Sequence, residues 1–286
     1  ANEPMPTIAA GLATRGRKRP VLVYHRHHET GRRRLVTASR VAARLADLTA
    51  VESPALRDLS ARDDRVSPDH VLIARNSTSD LRAVDEDEIG RARHDLGIAP
   101  EAPVVAVVSR LRAEKGIDVL LAAADRLRTA GAQLVIVGSG PEEEALRALA
   151  GQRRTPVHFV GHTNDVALWL NVADVVALPS RRDAFPRTAV EALAACRPIV
   201  GSRVGGLVDA VDDGVSGLLV PPEDPDALAT ALDRVLGDRE LARSMGEAGR
   251  RRYEESYTTD AVADSWRSAW ETALANFSSS TENGKR

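Results

Sequence analysis

From residue 103 onward the chain alternates two patterns. Short unbroken apolar runs, VVAVVSR at 104–110 and then QLVIVG, VHFVG, VVALPS, PIVGS and GLLVP, predict six strands. Amphipathic stretches or Gly/Pro turns separate them. Apolar runs without polar alternation indicate strands covered on both faces, hence a parallel sheet with helices above and below. Right-handed crossovers then give a doubly wound, Rossmann-like domain. One helix is expected over GIDVLLAAADRLRTAG, ending at Gly131, and another from Pro186 to about Ala195. DPDALATALDRVLGD, RELARSMGEAGRRRYEESY and TDAVADSWRSAWETALANF read as helices, and SSSTENGKR as a frayed tail.

The first hundred residues carry a thinner version of this pattern. PTIAAGLATRG reads as a helix, and RPVLVYHRH, LTAVES and HVLIARN as strands. LRAVDEDEIGRARHDLGIAPEAP reads as an acidic helix with a Pro-rich linker. Three parallel strands are few for a two-sided sheet, so this half is expected to be an incomplete domain. The expected partition is 1–100, 101–258 and 259–286. The fold class is α/β with two Rossmann-like domains, the N-terminal one incomplete.

Composition adds exclusions. The chain is 286 residues, 43% hydrophobic and 28% charged, and no apolar run approaches the roughly 20 residues of a membrane span. No charged-then-apolar leader opens it. The single Cys196 excludes an internal disulfide framework and makes a reducing cytoplasm the default. Net charge is −2, yet residues 1–45 hold ten Lys/Arg against two acidic residues. That surplus is a candidate surface for anionic lipid, with peripheral contact at an inner membrane. A solvated Arg-rich face is the plainer reading, and the lack of interleaved aromatics argues against nucleic acid. Lysine occurs only at Lys18, Lys115 and Lys285, so Lys115 is the one lysine of the long interior.

Three stretches carry candidate chemistry. In SRLRAEKG (109–116), Arg110 and Lys115 flank a strand-to-helix loop where a helix N-terminus favours anions, and together they suit a diphosphate. The alternative is a solvated loop with incidental charge. VGSGPEEEAL (137–146) is a weak dinucleotide fingerprint, because acidic residues follow where a pyrophosphate would sit. They fit better as first-turn dipole partners behind Pro141, with Gly138 in a tight turn. In SRRDAFPRTAVEALAACRPIVGSRVGG (180–206), Asp183 precedes a helix and Glu191 lies inside it. Backbone N–H groups at 184–188, from Ala184, Phe185, Pro186 (which lacks one), Arg187 and Thr188, frame its start. Two carboxylates on either side of a phosphate site suit ribose, diphosphate and hexose. Their alternatives are a dipole partner and a helix-surface residue.

These stretches, with VHFVGHTNDVALWLNVADVVALPS and GLVDAVDDGVSGLLVPPEDPDALA, resemble the donor half of retaining family-4 glycosyltransferases of GT-B architecture, over residues 103–275. The resemblance implies transfer of a hexose from a UDP- or GDP-sugar to an acceptor it does not identify. It also implies that Arg110 and Lys115 bind the donor diphosphate without a metal or other cofactor. Asp183 and Glu191 correspond to the family's acidic pair with seven residues between, the first touching the sugar and the second the ribose. Gly205 and Gly206 match a paired-glycine turn, and His162 falls where the backbone meets the base. Asp183-Ala184 stands where the family usually has Glu-Gly. In the N-terminal half, His27 and then His25 match an acceptor-side histidine; their alternation along a strand disfavours a metal site. Two other classes stay open: a nucleotide-sugar-binding chain or half of a split enzyme, without transfer, and a nucleotide-sugar epimerase.

Overall fold

The computed structural model describes residues 23–26, 33–67, 70–78, 80–268 and 270–271. The helix expected over PTIAAGLATRG, His27 and the SSSTENGKR tail lie outside the described residues. Two compact units form: the residues up to Ser77 together with those from Thr259, and Thr78–Thr258.

In the first unit, strands β1 (Val23–Arg26), β2 (Leu48–Val51) and β3 (Val71–Ile73) form a parallel sheet in the order 1-2-3. Helices α1 (Arg33–Leu45) and α2 (Pro54–Asp63) connect them. Ser53 starts α2 by accepting the Leu56 N–H at 3.2 Å, with Pro54 in the first turn, where its missing N–H costs nothing. Glu52, 5% exposed, accepts from the Asn76 amide at 2.7 Å. Residues 259–268 are helical, and Trp266 Nε1 donates to the Arg75 carbonyl at 3.4 Å.

The second unit carries all six strands that the apolar runs predict: β4 (Val104–Val108), β5 (Gln133–Val137), β6 (Val157–Gly161), β7 (Val175–Leu178), β8 (Ile199–Ser202) and β9 (Gly217–Val220). They are parallel and ordered β6-β5-β4-β7-β8-β9, the doubly wound order, with its switch between β4 and β7. Strand periodicity sorts each apolar run onto two faces. Val104, Ala106 and Val108 enter one core, and Val105 and Val107 the other. Helix α3 (Glu86–Asp95), opened by a capping box between Asp85 and Glu88, packs on this unit. There Arg93 donates to the carbonyls of Pro100, Ala102 and Val172. Helices α4 (Ile117–Ala124), α5 (Glu143–Ala150), α6 (Val166–Val172), α7 (Arg187–Ala194), α8 (Leu207–Ala210), α9 (Pro225–Leu236) and α10 (Arg239–Ser256) complete it.

One helix differs from expectation. α4 stops at Ala124 instead of reaching Gly131, because the Asp233 carboxylate on α9 captures the N–H groups of Arg128 and Thr129 in a turn. A second ending is unusual. α7 closes in a Schellman motif, with Cys196 N–H to Leu193 O at 3.1 Å and Arg197 N–H to Ala192 O at 2.9 Å. The left-handed position that usually holds glycine holds Cys196, at φ 55°. Gly246 of α10 lies against it, where a Cβ would stand 2.1 Å from the Cys196 carbonyl oxygen.

Gly246→Ala is therefore expected to force α10 off α7 and to lower unfolding free energy by about 2–3 kcal/mol in urea denaturation. Gly90→Ala, on α3 with nothing within 4 Å of its added Cβ, should be neutral or stabilise by about 0.5–1 kcal/mol. Equal losses in both would rule out the packing argument.

Candidate functional site

The loops leaving β4 and β7 meet at the switch point of the six-stranded sheet. Gly116, at φ 64°, closes a 3-10 turn over Ala113–Lys115; a Cβ there would stand 2.0 Å from the Pro179 carbonyl oxygen. The two backbones touch, and only glycine permits it. This contact sets Lys115 beside the β7 loop. Lys115 Nζ donates to Asp183 Oδ2 at 2.5 Å, with the two side chains 20% and 10% exposed. Ser180 Oγ donates to the same carboxylate oxygen at 3.3 Å.

Arg181 straps the two loops together. Its N–H donates to Glu114 O at 2.9 Å, and its guanidinium reaches Ala113 O at 2.7 Å and forks onto both Asp118 oxygens at 2.8 and 2.7 Å. Nε reaches Glu223 at 3.0 Å. The Arg181 hydrogen bonds hold the Asp118 carboxyl below the usual aspartate range. The Gly138–Gly140 loop braces the other side, where Gly138 and Gly140 would place Cβ atoms 1.9 Å from Ser109 O and 2.3 Å from Leu111 O. Arg110 stands between these braced residues and is exposed.

The Asp183–Pro186 loop is fixed from three sides. Gly206 N–H donates to Asp183 O at 2.9 Å, and Gly206 lies so close that a Cβ would meet Ala184 O at 2.1 Å. Gly205 takes φ 45° to make that turn. Phe185 turns its ring into the core, 5.8 Å from that of Tyr257, which leaves its backbone at the loop. Pro186 precedes α7, and no side chain caps the helix start. Thr188 Oγ1 donates to Val108 O at 2.8 Å, pinning that start to the end of β4. Glu191, one turn in, is mostly buried, with Arg187 at 3.7 Å. Burial pushes its carboxyl up, and the Arg187 charge partly offsets this. His162 follows β6 and is exposed.

The structure thus joins Lys115 to Asp183 and seats Ala184 on Gly206. Arg187 and Glu191 share one helix, Arg110 and His162 stand on the loops after β4 and β6 with the β5 loop between them, and His27 is outside the described residues. Sequence reasoning missed Ser180, Arg181, Asp118 and the hydroxyl of Thr188. The Arg181-Arg182 doublet beside Asp183 was the available signal. Among the described residues, no three His, Cys, Asp or Glu side chains gather as a metal-ligand set, and no helix is long and apolar enough to cross a membrane.

Residues 88–252 match the family described as Glycosyl transferases group 1. The chain belongs to that family. The D-inositol 3-phosphate glycosyltransferase of Jonesia denitrificans is 38% identical over 193 residues, covering 63% of this chain and 45% of that protein. The chain thus spans about half the length of that curated relative. HepE of Anabaena, solved with UDP, shares the fold at TM-score 0.85, covering 96% of this chain and 78% of its own, with 24% identity. The sucrose-phosphate synthase of Thermosynechococcus elongatus is 26% identical at TM-score 0.82, covering 96% of this chain and 73% of its own. The two parallel sheets are those of a GT-B-type group 1 glycosyltransferase fold.

Arg181→Met should cost about 1–2 kcal/mol near pH 6, a charge-assisted bond discounted for solvent. Asp118 contributes stability above the ordinary aspartate pKa of about 3.9 and loses it as pH falls through its lowered folded value. Urea titrations should therefore show the wild-type advantage shrinking between about pH 5 and pH 2. A pH-independent gap would break the assignment.

Proposed function

We propose that this chain carries the donor site of a retaining glycosyltransferase that moves a hexose from a UDP- or GDP-sugar to an acceptor. The Lys115–Asp183 pair at the switch point carries this reading. An ammonium has three donors, so Lys115 can keep Asp183 and still meet a diphosphate oxygen. Arg110, from the braced β4 loop, supplies the second cation, and the uncapped start of α7 supplies backbone N–H groups and a positive dipole end. Asp183 then faces the sugar, Glu191 accepts from the ribose hydroxyls, and His162 stands at the base. The departing nucleotide's phosphate takes the acceptor hydroxyl proton on the face the sugar leaves, while Arg110 and Lys115 stabilise the diphosphate. No metal is required in this scheme, because two cations do that work. UDP in the HepE structure supports a UDP-sugar as the first donor to test. The single cysteine and the basic N-terminal segment fit a cytoplasmic reaction beside an anionic surface.

Nucleotide sugars should raise the melting temperature. Lys115→Ala should lower donor turnover at least about 100-fold and weaken diphosphate binding. Unchanged turnover and affinity would sink the donor assignment. The first sheet, three-stranded among the described residues, leaves room for a second reading, a nucleotide-sugar-binding portion without transfer. Binding with neither hydrolysis nor transfer would select it.

A ribose clamp at Glu191 also predicts a pH signature. Burial lifts its pKa, so its contribution to stability is present at low pH and lost as pH rises through the raised value. Hydroxyl donors favour the ionised carboxylate, so the affinity for uridine or guanosine should strengthen as pH rises from about 4.5 to 7. Calorimetry should find Glu191→Gln weak and flat over that range. Parallel profiles would remove Glu191 from the ribose.

A further inference from the structure

On the amino-terminal side of the same six-stranded sheet, opposite the loops described above, lies a cleft of about 950 Å³. Its floor is the chain entering β4, β7 and β8, at Pro103, Asp174 and Pro198, and α3, α9 and α10 form its walls. Arg197 sits there. Its backbone is fixed as the residue that closes the Schellman motif after α7, so the guanidinium starts from a rigid point.

That guanidinium lacks a counter-ion. Nη2 donates to Asn171 Oδ1 at 3.0 Å, Nε is buried without a partner, and among the described residues no carboxylate is within ion-pair distance. Burial pulls its pKa down, as expected for a cation removed from water. The charges of Asp174 and Glu86 offset this only in part, so a half-buried cation with no carboxylate in contact is costly and calls for an explanation. The cleft's own carboxylates do not supply one. Asp174 is engaged by Arg93 at 3.3 Å, Glu247 by Arg243 at 2.6 Å and Glu101 by Arg239 at 3.4 Å. Glu86 is exposed at the rim. The walls beside Arg197 include Ile89, Ile98, Val235 and Leu236.

We propose that this cleft binds a small organic phosphate monoester. Its phosphate would meet the Nη1–Nη2 edge of Arg197, since Nε is closed off inside the protein, and its body would lie on the apolar wall. The volume fits such a molecule better than a bare ion, which would leave the wall uncovered. The site is separate from the donor face, because it lies at the opposite ends of the strands.

Cys196, the chain's single cysteine, lines the cleft and is exposed, so its alkylation by N-ethylmaleimide reports occupancy of this cleft alone. Phenyl phosphate should slow alkylation of the wild-type chain at least 5-fold, with inorganic phosphate at least 10-fold weaker as a protectant. Lys115→Ala should leave that protection intact, and Arg197→Gln should weaken it at least 10-fold while Arg197→Lys restores part of it. Three results would overturn the proposal: no protection at 10 mM phenyl phosphate, protection lost with Lys115→Ala, or protection unchanged in Arg197→Gln. The wild-type measurement stands even if a variant fails to fold.

Discussion

Where the chain leaves β4 and where it leaves β7, two backbones run in contact, with Gly116 seated on the carbonyl of Pro179. A side chain at 116 would part these loops by more than an ångström. Lys115 would then lose the 2.5 Å reach to Asp183, and the Arg181 fork its carboxylate and carbonyl partners. The sheet order brings the two strand ends side by side; the missing Cβ lets them close. The same device recurs around the site at Gly138, Gly140 and Gly206, each against a neighbouring loop carbonyl. Rigid backbone contacts of this kind hold charged groups in place at little entropic cost when a ligand arrives.

The two sheet faces of the large unit behave differently toward charge. At the carboxyl ends, cations and carboxylates are paired across loops, so Lys115 presents a positive group whose position is already set. At the amino ends, most charges are paired along or between helix ends, and Arg197 is left over. Both arrangements follow from a parallel sheet, which concentrates loops and helix termini at its two edges and leaves its faces apolar.

Much of this is legible in the sequence. Strand runs such as VVAVV announce themselves because burial on both faces removes polar alternation, and all six appeared in place. The Asp183-to-Glu191 stretch was legible because a proline and an apolar period mark a helix start. Arg181 was not, because its partner Asp118 lies 63 residues away and periodicity is blind to such pairs. The early end of α4 was hidden for the same reason, since Asp233 captures the turn from 104 residues downstream. Cys196 in a left-handed position contradicts local preference, and only the surrounding helix pair holds it there.

The smaller unit is discontinuous, built from residues on both sides of Thr78–Thr258. During synthesis the large unit emerges as one continuous stretch and can bury both its cores at once. The smaller one must wait for the helical residues 259–268, whose Trp266 reaches back to Arg75 across nearly two hundred residues. Loop closure over that span is made cheaper by the folded unit between, which shortens the path its ends must search. On the ribosome, Thr78–Thr258 has therefore emerged before the residues from Thr259 that join the smaller unit.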